Sequence, residues 1–116
     1  LPAVPAHELD EVKRLAQVGR VYLSPRKARD IVGDLLDLEP RQAEAFVVGL
    51  LGQLGPEHFA ETKSDKTPPA DVYGLFFEGR GWYIKVAIDR GRLVVISCHP
   101  PESPLRTRAG TITPRI

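Results

Sequence analysis

A chain of 116 residues with 42% hydrophobic and 27% charged residues has room for one core, not two, and the composition of an ordinary soluble globular domain. A formal net charge of +1 and a pI near 8.1 give no global basic field of the kind a dedicated duplex-DNA binder carries, so any contact with nucleic acid must be local. The single cysteine excludes an internal disulfide framework and suits a reducing cytoplasm, and the longest apolar run, residues 45–51, is too short to cross a membrane.

Residues 1–6 carry two prolines and read as a disordered lead-in to a single domain, with a globular body over 7–99 and a proline-rich basic tail over 100–116. The methionine-free chain opens on Leu1, as one trimmed at its start or written with leucine at its initiator would, and its amino end lacks a signal pattern. Over residues 7–18, Leu9, Val12, Leu15 and Ala16 recur at helical spacing. Acidic Glu8, Asp10 and Glu11 precede basic Lys13 and Arg14, an order that suits the helix dipole, and Gly19 is a natural stop. Val21–Leu23 has the makings of a short strand. Ser24-Pro25 reads as a second helix start, with Ala28, Ile31, Val32, Leu35 and Leu36 as its stripe. Pro40 opens a third helix with Ala43, Phe46, Val47, Leu50, Leu51 and Leu54 on one side, closed by Gly55-Pro56.

The segment AETKSDKTPPA after Phe59 is polar and without periodicity, which predicts a loop bearing Lys63 and Lys66. Three runs rich in β-branched and aromatic residues follow, at 72–78, 82–89 and 93–99, separated by Gly79-Arg80-Gly81 and Arg90-Gly91. They predict an antiparallel meander. The tail contains four prolines and reads as extended along the body, offering Arg106, Thr107, Arg108 and Arg115 for phosphate contacts. Helices first and strands after predict an α+β fold, with the N-terminal helices packed on one face of a mainly antiparallel sheet.

Register decides which side chains share a face. A three-residue loop at Arg90, Gly91 and Arg92 puts Tyr83 opposite His99, Lys85 opposite Ser97 and Ala87 opposite Val95, leaving Ile84, Val86, Ile88, Val94, Ile96 and Cys98 on the apolar face. It is preferred to a two-residue Arg90-Gly91 turn because it segregates apolar from polar side chains. A Gly79-Arg80 turn adds Tyr73, Leu75, Phe77 and Trp82 to the apolar face and sets Phe76 and Gly74 beside Tyr83 and Lys85, where Gly74 leaves room for a ligand near the ammonium.

Tyr83, Lys85 and His99 on one open face, with Lys63, Lys66, Arg80, Arg106 and Arg108 nearby, suit cleavage of an RNA phosphodiester. The chemistry needs a group to take the 2′-hydroxyl proton, a group to stabilise phosphorane charge and a group to protonate the leaving 5′-oxygen. His99 can move a proton near working pH. Lys85 and a loop lysine can neutralise phosphate, and Tyr83 can hydrogen-bond it or, with Phe76, stack on bases. A solvent-facing sheet ordinarily carries Lys, Tyr and His without catalysis, and a basic tail is ordinarily a solvated terminus, so the alternative is a non-catalytic module binding RNA or protein. Adjacent Cys98 and His99 point to opposite faces and make a poor metal pair. No nucleophile elbow, phosphate loop or dinucleotide fingerprint is present.

The ordered pieces ELDEVKRLAQVGRVYLS, LLGQLGPEHF, Asp71-Val72-Tyr73 and GWYIKVAIDRGRLVVISCH resemble the MqsR family of toxins from bacterial toxin-antitoxin pairs, over about His7 to His99. The resemblance implies a fold related to RelE-like ribonucleases, metal-independent cleavage of single-stranded messenger RNA in the cytoplasm with no cofactor, and neutralisation by a cognate antitoxin protein. The family's sheet tyrosine and the basic residue ending its last strand fall on Tyr83 and His99. The chain departs from the family where a lysine just after the Phe59 position is replaced by Ala60-Glu61, and where a glutamine before Asp-Val-Tyr is replaced by Ala70. The basic strand-end residue is histidine instead of lysine, and the loop before Asp71 is shorter. These departures imply a rearranged site using Lys63 or Lys66, an altered sequence preference, or an inactive relative.

Overall fold

The apolar spacing at the start of the chain sets its first helix. In the computed structural model, which describes residues 4–114, α1 spans Leu9–Gln17 and buries Val12, Leu15 and Ala16. The expected lead-in falls in part on residues 1–3, and one expected phosphate contact falls on Arg115; both lie outside the described residues. Gly19, at φ 82°, turns the chain into β1 (Val21–Leu23).

The second helix differs from expectation. The N–H of Arg29 donates to the carbonyl of Ser24 at 3.0 Å, making Pro25–Arg29 a π-helical turn before α2 (Asp30–Leu36). The wider turn shifts the phase of α2. Ala28 and Val32 are buried, but Leu35, expected in the same stripe, is 41% exposed. The third helix, α3 (Pro40–Gly52), starts with proline at its first position and with the Glu39 N–H donating to Gln42 Oε1 at 2.9 Å. It buries Ala43, Val47, Leu50 and Leu51, with Leu54 buried just past its end.

Five strands form the main sheet in the order β1-β5-β4-β3-β2, with β2 (Phe59–Lys63), β3 (Ala70–Phe77), β4 (Arg80–Asp89) and β5 (Arg92–His99). Among the described residues only β1 runs parallel to its neighbour in this sheet; the other pairs are antiparallel. Helices α1 and α3 cover one face, where Tyr73, Leu75, Trp82, Ile84, Val86, Leu93, Val95 and Cys98 form the core with them. Each fully buried large apolar side chain contributes about 1.5–3 kcal/mol relative to exposure. Phe46 from α3 packs its ring 5.2 Å from Phe77 and 5.3 Å from Trp82, closing one end of that layer. Among the described residues no helix is long and apolar enough to cross a membrane. The architecture is α+β.

Both hairpins of the meander close on two-residue turns. Glu78 and Gly79 have φ 52° and 84°, Arg90 and Gly91 have φ 55° and 77°, the left-handed pairs whose twist matches that of the strands. This corrects two expectations. The first turn is Glu78-Gly79, not Gly79-Arg80, so Gly74 lies opposite Tyr83 and Val72 opposite Lys85. The second is the two-residue turn, not the three-residue loop, and a bulge at Ile96 then restores the expected pairs Tyr83 with His99 and Lys85 with Ser97. Before the bulge the faces are exchanged. Ala87 opposes Val94 instead of Val95, and Leu93 and Val95 enter the core in place of Val94 and Ile96.

Two further segments differ. Of the stretch after Phe59 expected as a loop, 64–69 is one, but 60–63 continue β2: Phe59 pairs with Tyr73, Ala60 is bulged, and Glu61, Thr62 and Lys63 pair with Val72, Asp71 and Ala70. Beyond His99 the chain forms a second small sheet of β6 (Leu105–Thr107) and β7 (Gly110–Ile112) instead of running extended. That hairpin sits on the two glycines of the open face. A Cβ at Gly74 would come within 2.5 Å of Leu105 Cδ2, and one at Gly81 within 2.6 Å of Ile112 Cγ2.

Candidate active-site cleft

The sheet face opposite α1 and α3 carries the polar residues, because strand alternation sends Trp82, Ile84 and Val86 inward and Tyr83 and Lys85 outward. Tyr83 and His99 stand opposite each other on β4 and β5, and their rings stack with centroids 4.8 Å apart and planes 13° from parallel. One step along, Glu61, Val72, Lys85 and Ser97 form a row across β2, β3, β4 and β5. Lys63 continues β2, its Nζ 3.6 Å from Glu61 Oε2. The π-helical turn brings Lys27 to one wall, and the segment 102–105 forms the other. The cleft is about 530 Å³ and open on one side.

Histidine tautomer follows from one contact. His99 Nδ1 lies 2.7 Å from the carbonyl oxygen of Pro100, which can only accept, so Nδ1 carries a proton and Nε2 is the nitrogen left to exchange one. Burial raises the Tyr83 phenol above its ordinary range, and the carboxylates of Glu61 and Glu102 raise it further. Tyr83 therefore enters any chemistry as a hydrogen-bond donor, not as a base. Cys98, adjacent to His99, is in the core on the opposite face, where burial pushes its thiol up to about 12. Among the described residues no three His, Cys, Asp or Glu side chains are grouped to hold a metal ion.

Of the residues singled out from sequence, Tyr83, Lys85, His99 and Lys63 line this cleft. Lys66, on the loop at 64–69, does not. Phe76 shares the face but is 61% exposed at its far end, opposite Gly81, with β7 seated beside it; it is outside the cleft and leaves no stacking platform there. Arg80 pairs with Phe77 and alternates with Tyr83, so it belongs to the opposite face. Arg106 and Arg108 line a second groove of about 480 Å³ that adjoins the cleft through Glu61, Pro104 and Leu105. The Arg108 guanidinium lies over the Phe59 ring, 5.2 Å from its centre. The room expected at Gly74 for a ligand is taken by Leu105, Thr107 and Ile112.

Sequence reasoning gave no part in the site to Lys27, Glu61, Ser97, Glu102 or Ser103, polar residues that line the cleft. Glu61 is the most consequential. In a regular strand Phe59 and Glu61 would share a face; the bulge at Ala60 sends Phe59 to the core against Tyr73 and Glu61 to the cleft. Nothing in the tetrapeptide AETK signals a bulge. A match for the chain was found neither among protein-family models nor among curated proteins.

Proposed function

We propose that the chain is a toxin-type endoribonuclease, related to RelE-like ribonucleases, that cuts single-stranded messenger RNA in the cytoplasm without a metal and is held in check by a cognate antitoxin. The observation that carries the reading is the Tyr83–His99 stack beside Lys85, with His99 Nδ1 already engaged and Nε2 left for proton transfer. The resemblance of four ordered segments to the MqsR toxins supports it.

The residues suit one reaction. The ribose 2′-oxygen attacks the neighbouring phosphorus, the bond from phosphorus to the 5′-oxygen breaks, and the products are a 2′,3′-cyclic phosphate and a 5′-hydroxyl. His99 Nε2 exchanges a proton with a reacting oxygen. Lys85 and Lys63 offset the charge that builds on the phosphorane, and the Tyr83 hydroxyl, held protonated, donates to a non-bridging oxygen. The groove with Arg106 and Arg108 continues the cleft and suits the RNA backbone on one side of the scissile bond.

A second reading has one observation in its favour. Glu61 and Glu102 place two carboxylates in a cleft proposed to bind phosphate, as in a module that binds RNA or protein without cutting. Incubating purified wild type and His99→Ala with a long RNA in chelator, and mapping cut sites and end chemistry, separates the two. Discrete cuts by wild type alone, with cyclic-phosphate and 5′-hydroxyl ends, are expected; folded wild type that leaves RNA intact, with and without ribosomes, selects the binding module.

A further inference from the structure

We infer that Glu61 is the general base that takes the proton from the attacking 2′-hydroxyl, leaving His99 to deliver a proton to the departing 5′-oxygen. The inference rests on the endoribonuclease reading and divides its acid–base work between the two margins of the cleft.

In-line displacement puts the attacking and leaving oxygens on opposite sides of phosphorus, so a single imidazole serves both poorly. Glu61 and His99 stand on opposite sides. They belong to β2 and β5, three strand spacings or about 14 Å apart across the sheet, and stand in rows two residues apart along the strands. Between them lie Lys85 and Tyr83, the groups suited to hold a phosphate. An ionised carboxylate is an acceptor only, the property required of the base and wrong for a phosphate ligand. The Lys63 ammonium lies 3.6 Å from Oε2 of Glu61, a contact on one oxygen that leaves Oε1 for the hydroxyl.

The backbone supports the assignment independently. Each margin strand has a bulge just before its reactive residues: Ala60 precedes Glu61, and Ile96 precedes Ser97 and His99. Each bulge keeps the preceding apolar residue, Phe59 or Val95, in the core while Glu61 on one strand and Ser97 and His99 on the other face the cleft. Glu102 is the other carboxylate in reach, but it sits in a bend beyond the sheet, whereas Glu61 is fixed by ladder pairing with Val72. The step balances. The 2′-hydroxyl proton goes to Glu61, the oxygen–phosphorus bond forms, the phosphorus–5′-oxygen bond breaks, and the His99 Nε2 proton goes to the 5′-oxygen. Exchange with water returns both side chains to their starting states.

The test compares a single-turnover RNA substrate, cut at a mapped site, with the same RNA bearing sulfur at the bridging 5′-position, which leaves as a thiolate without needing a proton. Glu61→Gln should lose about 10²–10⁴-fold on both substrates. His99→Ala should lose a similar factor on the oxygen substrate and regain most of it on sulfur, and added formate should partly restore Glu61→Ala. Wild-type rates in Glu61→Gln overturn the inference, as does sulfur rescue of Glu61→Gln in place of His99→Ala. A loss found in Glu102→Gln instead of Glu61→Gln overturns it too. Those results leave the endoribonuclease reading standing, because wild type still cuts; a wild type that cuts neither substrate overturns both.

Discussion

The Tyr83 and His99 rings lie parallel across β4 and β5, with 4.8 Å between centroids. The stack sets the plane of the imidazole, and the 2.7 Å contact from Nδ1 to the Pro100 carbonyl sets which way round it sits. Two separate constraints thus fix the direction of Nε2. A strand-end histidine gains its orientation from a cross-strand partner here, not from a buried carboxylate.

The two parts of Tyr83 separate by substitution. Tyr83→Phe keeps the stack and removes the hydroxyl, so RNA cleavage is expected to fall about 10²-fold, the effect of losing one donor to the transition state. Tyr83→Ala also frees the imidazole and should fall further. Single-turnover rates on one RNA give both numbers; equal rates for Tyr83→Phe and wild type remove the hydroxyl from the mechanism.

The Tyr83–His99 pairing was legible in the sequence because YIKVAI and VVISCH alternate cleanly near their outer ends. The route to it was not. A three-residue loop and a two-residue turn followed by a bulge at Ile96 give the same partner for His99, and they differ only in the half of the strands where Leu93, Val94 and Val95 are all apolar. Alternation cannot choose between them there. The strand carrying Glu61 was invisible for another reason. It is held by Phe59 against Tyr73 and by Thr62 against Asp71, contacts made across a turn by residues whose own order has no strand pattern. The hairpin at β6 and β7 depends on two distant glycines, Gly74 and Gly81, giving Leu105 and Ile112 somewhere to sit.

That dependence gives a stability prediction. A Cβ at Gly81 would lie 2.6 Å from Ile112 Cγ2 and 3.3 Å from the Thr113 carbonyl oxygen, a stiff branched side chain and a backbone atom that cannot simply rotate away. Gly81→Ala should destabilise the protein by about 1–3 kcal/mol. It should also loosen the hairpin, so trypsin should cut faster after Arg106 or Arg108. An unchanged urea midpoint together with unchanged proteolysis would falsify the docking.

Alkaline pH probes the core. Burial, then the Asp71 carboxylate, pushes Tyr73 up to about 12, against an opposing pull from Arg108, and the hydroxyl is buried without a hydrogen-bond partner. A folded value above the ordinary 10 means that the neutral phenol favours the folded state; its contribution is full below pH 10 and lost as pH rises through 12. Cys98, raised from 9 to about 12, acts with the same sign, losing its contribution from pH 9 upward. Tyr73→Phe should therefore be neutral or slightly stabilising at pH 7, since no bond is lost, and its Tm should fall less steeply than wild type between pH 10 and 12. Parallel Tm curves over that window contradict the account.

Asp71 connects the core to the cleft margin. Its buried carboxylate accepts from the backbone N–H groups of Ala6 and His7, both at 2.8 Å, and from Thr62 Oγ1 at 2.7 Å. One side chain thus ties the entry to α1 and the edge strand β2 to β3, and β2 carries Glu61 and Lys63. Asp71→Ala strands all three donors and should cost about 3 kcal/mol or more, because hydrogen bonds to a charged group are each worth about 1.5–3 kcal/mol and buried donors lose their partner. Asp71→Asn keeps one acceptor and should fall between. Combining Asp71→Asn with Thr62→Val should give a coupling energy of about 0.5–3 kcal/mol, as expected of residues in one network. Hydrogen exchange locates the damage: amides of residues 59–63 should lose protection in Asp71→Ala before those of β4 and β5. If the edge strand stays protected and the urea midpoint stays within about 0.5 kcal/mol of wild type, Asp71 does not hold β2, and the position of Glu61 must come from the Phe59–Tyr73 contact alone.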